Sequence, residues 1–170
     1  MFVAGEEYLD VGFGAARARL TNLLHSGLLA ASSEDCYDQG VTDLARVAPL
    51  GPAPGESKLV RAQFGEMAIR DDSAKLSLRW DATGPGSGLF PALDADLRLT
   101  AMGEDATMLS LAGAYRAPPE DADATLDRAV LQRVATATIQ AFLRRVADAI
   151  VHPADAPAPG HEGRQASLPE

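Results

Sequence analysis

The chain has 170 residues, 46% of them hydrophobic and 23% charged, the size and make-up of one globular domain able to bury a core. A formal net charge of −9 and a pI near 4.7 argue against nucleic acid, which needs a basic footprint to displace phosphate counterions, and against anionic membrane surfaces. One cysteine, Cys36, excludes an intrachain disulfide. No basic-then-apolar leader opens the chain, and no apolar run approaches the ~20 residues that span a bilayer, so a cytoplasmic protein without membrane insertion is expected.

Phe2 to Asp10 reads as an opening strand interrupted by Gly5. Phe13, Ala16, Leu20, Leu23 and Leu24 then share one helical face, which carries a helix to about His25 with Gly27 as its stop. Leu28 to Tyr37 fits either a strand or a second short helix, and Val41 to Val47 reads as a strand. Pro49 to Gly55 is a loop by composition.

Alternation of apolar and polar residues follows through Lys58 to Phe64, Lys75 to Ala82, Leu93 to Ala101 and Thr107 to Arg116. Leu76, Leu78 and Trp80 oppose Ser77, Arg79 and Asp81; Leu93, Ala95, Leu97 and Leu99 oppose Asp94, Asp96 and Arg98; Leu109, Leu111, Gly113 and Tyr115 share a third apolar face. This is the pattern of half-buried antiparallel strands.

From about Asp121 to Val151 there is neither Gly nor Pro, and the apolar spacing is helical. Leu126, Val130, Leu131 and Val134 form the first half of its stripe; Ile139, Phe142, Leu143, Val146 and Ile150 form the second, at a different angle round the axis. The weak helix formers between them, Ala135 to Thr138, predict a bend there, or two halves with different partners. Residues 152–170 have no periodicity and read as a disordered tail, leaving 1–151 as one domain.

A strand, a helix, six further strands and a long closing helix form an α+β order that resembles the helix-grip fold, in which a curved antiparallel sheet wraps round a long C-terminal helix. The stretches LSLRWDATGPG, LFPALDADLRLT and ATMLSLAGAYRAPP, within Leu76 to Pro119, look like bacterial members of the START-like, Bet v 1-like and polyketide cyclase (SRPBCC) superfamily. The resemblance implies an apolar cavity between the sheet and the last helix. It also implies a lipid-like or polyketide-like ligand, or cyclase or aromatase chemistry in the same place. It brings no universal catalytic motif.

The residues themselves offer little chemistry. Gly12-Phe13-Gly14 has Arg17 where a dinucleotide fingerprint needs its third glycine, and reads as a strand-to-helix turn. Gly84 to Gly88 lacks the Lys-Ser/Thr of a phosphate loop. His25, His152 and His161 have no ligand spacing, so no metal and no other cofactor is expected. Asp94 and Asp96 share a strand face but sit opposite the leucines, which places them in water beside Arg79 or Arg98. Acidic neighbours Glu34, Asp35 and Asp38 disfavour an activated Cys36 thiolate.

The remaining candidates are cavity liners: Trp80 and Tyr115, each an apolar body with one hydrogen-bonding tip, with Phe64, Leu78, Leu97, Leu111 and Phe142 as walls and Phe90 near the mouth. The bland alternative is a solid core of the same residues. The small Ala95, Ala101 and Gly113 leave room for a cavity, or equally for a close helix approach. Three functions remain: binding of a small hydrophobic or amphipathic ligand without catalysis, a cyclase or aromatase, and an interaction module with a collapsed cavity that presents an apolar surface to a second copy as a homodimer.

Overall fold

The computed structural model describes residues 1–47, 59–83, 91–116 and 128–153. In chain order these form β1 (Phe2–Leu9), α1 (Phe13–His25), α2 (Leu28–Val47), β2 (Leu59–Ile69), β3 (Ser73–Thr83), β4 (Ala92–Ala101), β5 (Thr107–Arg116) and α3 (Arg128–Val151). The strands make one antiparallel sheet in the order β1-β5-β4-β3-β2. Strands β2 to β5 are a meander. The α1–α2 connection carries the chain from one sheet edge, β1, to the other, β2, so it must cross a whole face. The result is a curved sheet gripping helices on its apolar side: the α+β helix-grip architecture.

Tight turns fix the register. Arg70 N–H donates to the Ser73 carbonyl at 2.7 Å, closing the β2–β3 hairpin. Gly103, at φ +100°, makes the β4–β5 turn in a backbone region that L side chains rarely enter. Strand β2 carries a bulge: Phe64 pairs with Leu78 but Met67 with Leu76, so Gly65 and Glu66 together face one residue.

The segment from Leu28 to Val47 corrects the sequence reading. It is one 20-residue helix, not a strand after an ambiguous stretch. Its buried positions are Leu29, Ser33, Cys36, Tyr37, Gly40 and Leu44, a helical stripe interrupted by two non-hydrophobic residues. Both interruptions have causes. The Ser33 hydroxyl donates to the Leu29 carbonyl at 2.9 Å, so it is buried without an unmet polar group. Gly40 lies against Thr138 of α3 so closely that a Cβ would collide with its Oγ1. Gly40 is where the two long helices touch.

Helix α3 buries Leu131, Ala135, Ile139, Phe142, Leu143, Val146, Ala147 and Ile150 in a continuous band through Ala135 to Thr138. Its partners differ by flank rather than by half. One flank follows β1: Gln132 Nε2 donates to the Phe2 carbonyl at 3.2 Å, Gln140 and Leu143 press on Gly5, and Arg144 sits 3.7 Å from Glu7. The other meets α2 through Thr138, and through Arg145 at 3.1 Å from Asp35. Gly5, an interruption in the strand pattern, is therefore a seat for the helix: a Cβ there would lie 2.7 Å from Leu143 Cδ1. Arg19 of α1 donates to the Ile150 carbonyl at 2.8 Å, placing a cation at the C-terminus of α3, whose own last turn has none. No helix among the described residues is long and apolar enough to cross a membrane. The predicted loops 49–55 and 84–88, Leu126, the first turns of the predicted last helix and nearly all of the predicted tail lie outside the described residues.

Candidate functional site

The register sorts the inner face of the sheet into rows. Ala62, Trp80, Leu93 and Tyr115 form the first; Phe64, Leu78, Ala95, Gly113 and Val3 the second; Leu76, Leu97, Leu111 and Gly5 the third. Of the expected liners, Leu78, Trp80, Leu97, Leu111, Tyr115 and Phe142 are all buried and Phe64 is partly buried against them. Phe90 lies outside the described residues.

Trp80 and Phe142 meet edge to face, with ring centroids 4.9 Å apart and planes at 89°, a favoured aromatic geometry. Trp80 and Tyr115 stand in one row with Leu93 between them. Tyr37, hidden from the sequence reading by the misassigned α2, joins them from the helical side. Its hydroxyl donates to the Pro91 carbonyl at 2.6 Å, just before β4 begins. One end of the core, beside Thr83, Ala92 and Arg116, therefore gathers one indole, two phenols and a phenyl ring.

The polar atoms at this end are unevenly served. Trp80 is 2% exposed, yet its Nε1–H has no hydrogen-bond partner among the described residues. Leaving such a donor unmet costs about 1–3 kcal/mol. Burial pushes both phenols far above the ordinary tyrosine range, Tyr37 being raised further by Tyr115, Asp81 and Asp38. Both are therefore neutral hydrogen-bonding groups at any physiological pH.

The other face of the sheet carries a shallow open groove of about 570 Å³ bordered by Gln63, Gly65, Ser77, Arg79, Asp94, Asp96 and Ala112 among others. The two carboxylates of β4 lie outward, as their place opposite the leucines predicts. Arg79 donates through Nε to Asp81 and through Nη1 to Asp94, each at 3.2 Å. Arg116 also pairs with Asp94. The Ser77 hydroxyl donates to Asp96 at 2.7 Å, and Lys75 lies 3.7 Å from the same carboxylate. These acids are ion-paired on an exposed face rather than set against each other in a cleft.

Of the small residues on the inner face, Gly113 has a different use from the one expected. A Cβ on Gly113 would strike the Asp94 carbonyl and Ala95, so glycine lets β5 and β4 stay paired where they crowd. It does not open a cavity. Cys36 is buried, and its thiol is raised chiefly by that burial, Asp35 adding to it and Arg145 opposing it. Among the described residues no cluster of His, Cys, Asp or Glu could hold a metal ion.

No family model matches the chain, and no curated protein matches it. Among solved structures it is similar to a conserved protein from Geobacillus kaustophilus, with 17% identity over 86% of this chain and 93% of that one and a TM-score of 0.50. A hypothetical protein from Helicobacter pylori aligns over 86% and 88% of the two chains at 12% identity and a TM-score of 0.46. The Zhui aromatase/cyclase from a Streptomyces aligns over 90% and 97% at 13% identity and a TM-score of 0.37. The likeness to the Geobacillus protein is one of fold.

Proposed function

We propose that the protein binds a small, largely apolar molecule, lipid-like or polyketide-like, between the sheet and α3 at the Trp80 end of the core. The observation that carries this reading is the buried Trp80 Nε1–H without an acceptor. A ligand carbonyl, ether or hydroxyl oxygen placed there would remove an unmet donor. The surrounding Tyr37, Leu93, Tyr115 and Phe142 would take up apolar area at roughly 25 cal/mol per Å². Trp80 fixes the orientation of the ligand, and the neutral phenol of Tyr115 offers a second polar contact.

Binding is favoured over cyclase-type catalysis for a chemical reason. Proton transfer is most efficient with a group whose pKa lies near the working pH. Tyr37 and Tyr115 are pushed the other way by burial. Native mass spectrometry of freshly purified protein, with extraction of what accompanies it, tests the reading. A reproducible adduct that weakens by up to about tenfold in affinity in Trp80→Phe is expected, because the substitution keeps an aromatic ring against Phe142 and deletes one hydrogen bond. Protein that is clean of ligand and shows no thermal shift with lipids or polyketides would overturn it.

A further inference from the structure

We propose that β1 is a dimerisation edge, through which two copies of the chain join their sheets antiparallel about a two-fold axis at Gly5. The two edges of the sheet are built differently. Strand β2 is broken by its bulge at Gly65–Glu66, a device that spoils edge-to-edge pairing. Strand β1 pairs with β5 without a register shift from Phe2 to Leu9, and contains neither proline nor lysine. It is a long, regular edge, capped among the described residues only where Gln132 meets the Phe2 carbonyl.

The hydrogen-bond phase of β1 identifies which groups face outward. Met1 and Tyr115 exchange both backbone bonds, the Met1 amino group donating to the Tyr115 carbonyl and Tyr115 N–H to the Met1 carbonyl, each at 2.8 Å. In an antiparallel ladder such pairs alternate, so the backbone groups of Phe2, Ala4, Glu6 and Tyr8 point away from β5. The Phe2 carbonyl fits this phase, because it accepts from Gln132 rather than from β5.

The side chains of the same four residues lie on the outer face of the sheet. Phe2 is 69% and Tyr8 61% exposed, more than any other large hydrophobic residue among those described. Pairing about Gly5 sets Phe2 opposite the second copy's Tyr8 and Ala4 opposite its Glu6. All four outward residues of each strand then face a partner, for about six backbone hydrogen bonds besides the two to the Phe2 carbonyls that Gln132 already occupies. It also makes two aromatic cross-strand pairs. A register two residues in one direction would place Glu6 against Glu6, and in the other would place Phe2 against Glu6 and leave Tyr8 unpaired. The spacing of aromatics and glutamate therefore selects one register.

Sedimentation velocity on the full chain tests the proposal. The wild type is expected to become predominantly dimeric as its concentration is raised to about 100 μM. Ala4→Pro deletes an amide that points away from β5, so it should lower dimer affinity by at least tenfold while circular dichroism and Tm stay near wild type. If that variant fails to fold, Phe2→Asp with Tyr8→Asp supplies the same test on exposed side chains. A wild type that stays monomeric, or a folded Ala4→Pro or double-Asp variant that stays dimeric, would overturn it.

Discussion

The two faces of β3 and β4 are made by the same alternation, yet treat polar atoms in opposite ways. Outside, Arg79, Asp94, Asp96, Ser77 and Lys75 are linked pair by pair, with side chains about half exposed, where pairing contributes little; Asp81 meets Arg79 through Oδ2 only, its buried Oδ1 having no partner among the described residues. Inside, Leu76, Leu78, Leu93, Leu97 and Leu99 exclude water, and there the one indole donor goes unmatched, where the omission is costly. Satisfied polar groups where satisfaction is cheap describe a solvated surface. An unsatisfied one where it is dear marks the place to look for a ligand.

The largest test of this contrast is Phe142→Ala. It removes a fully buried ring that packs on Trp80 and should lower the unfolding free energy by about 3–5 kcal/mol in urea titration. A smaller loss would mean that the inner face is not the packed layer described.

The buried phenols give a pH signature of the same face. In the unfolded chain tyrosines ionise near pH 10, whereas Tyr37 and Tyr115 are held neutral in the fold above that. The unfolded state therefore binds fewer protons than the folded state above pH 10, and stability must fall as pH rises. The fall should approach about 2.7 kcal/mol per pH unit with both phenols contributing, and half that in Tyr115→Phe. Stability flat to pH 11.5 in equilibrium unfolding would remove the two phenols from the core.

Gly40→Ala should cost about 1–3 kcal/mol through its clash with Thr138, despite the better helix propensity of alanine. Thr138→Ala in the same chain should recover most of that loss, a coupling that a double-mutant cycle reads directly. Smallest of all, Arg79→Ala on the outer face should leave Tm and the urea midpoint close to wild type, and closer still at high salt.

The strands were legible because half-burial writes itself as alternation: Leu76-Ser77-Leu78-Arg79-Trp80 states both its structure and its faces. The first helix was legible for the same reason. Helix α2 was not, because two of its core positions are Ser33 and Gly40. One is satisfied by its own helix, and the other is small because α3 comes close. Neither reason is visible without the partner helix. That error also hid Tyr37, although Leu29, Tyr37 and Leu44 are spaced for one helical face. Trp80, Tyr115 and Phe142 could be named as inward residues, but not the missing acceptor at Trp80 Nε1, since satisfaction is a property of neighbours rather than of pattern. Gly5 and Gly113 could be noticed and not interpreted: one admits a helix, the other a strand.

Trp80 is the sole tryptophan, so the chain has one indole N–H resonance. A proton–nitrogen correlation spectrum comparing protein as purified with protein stripped by organic extraction tests the central claim most directly. The indole cross-peak is expected to move on stripping and to return when the extract is added back, as an acceptor leaves and re-enters. An indole peak identical in both samples, with the rest of the spectrum unchanged, would contradict it.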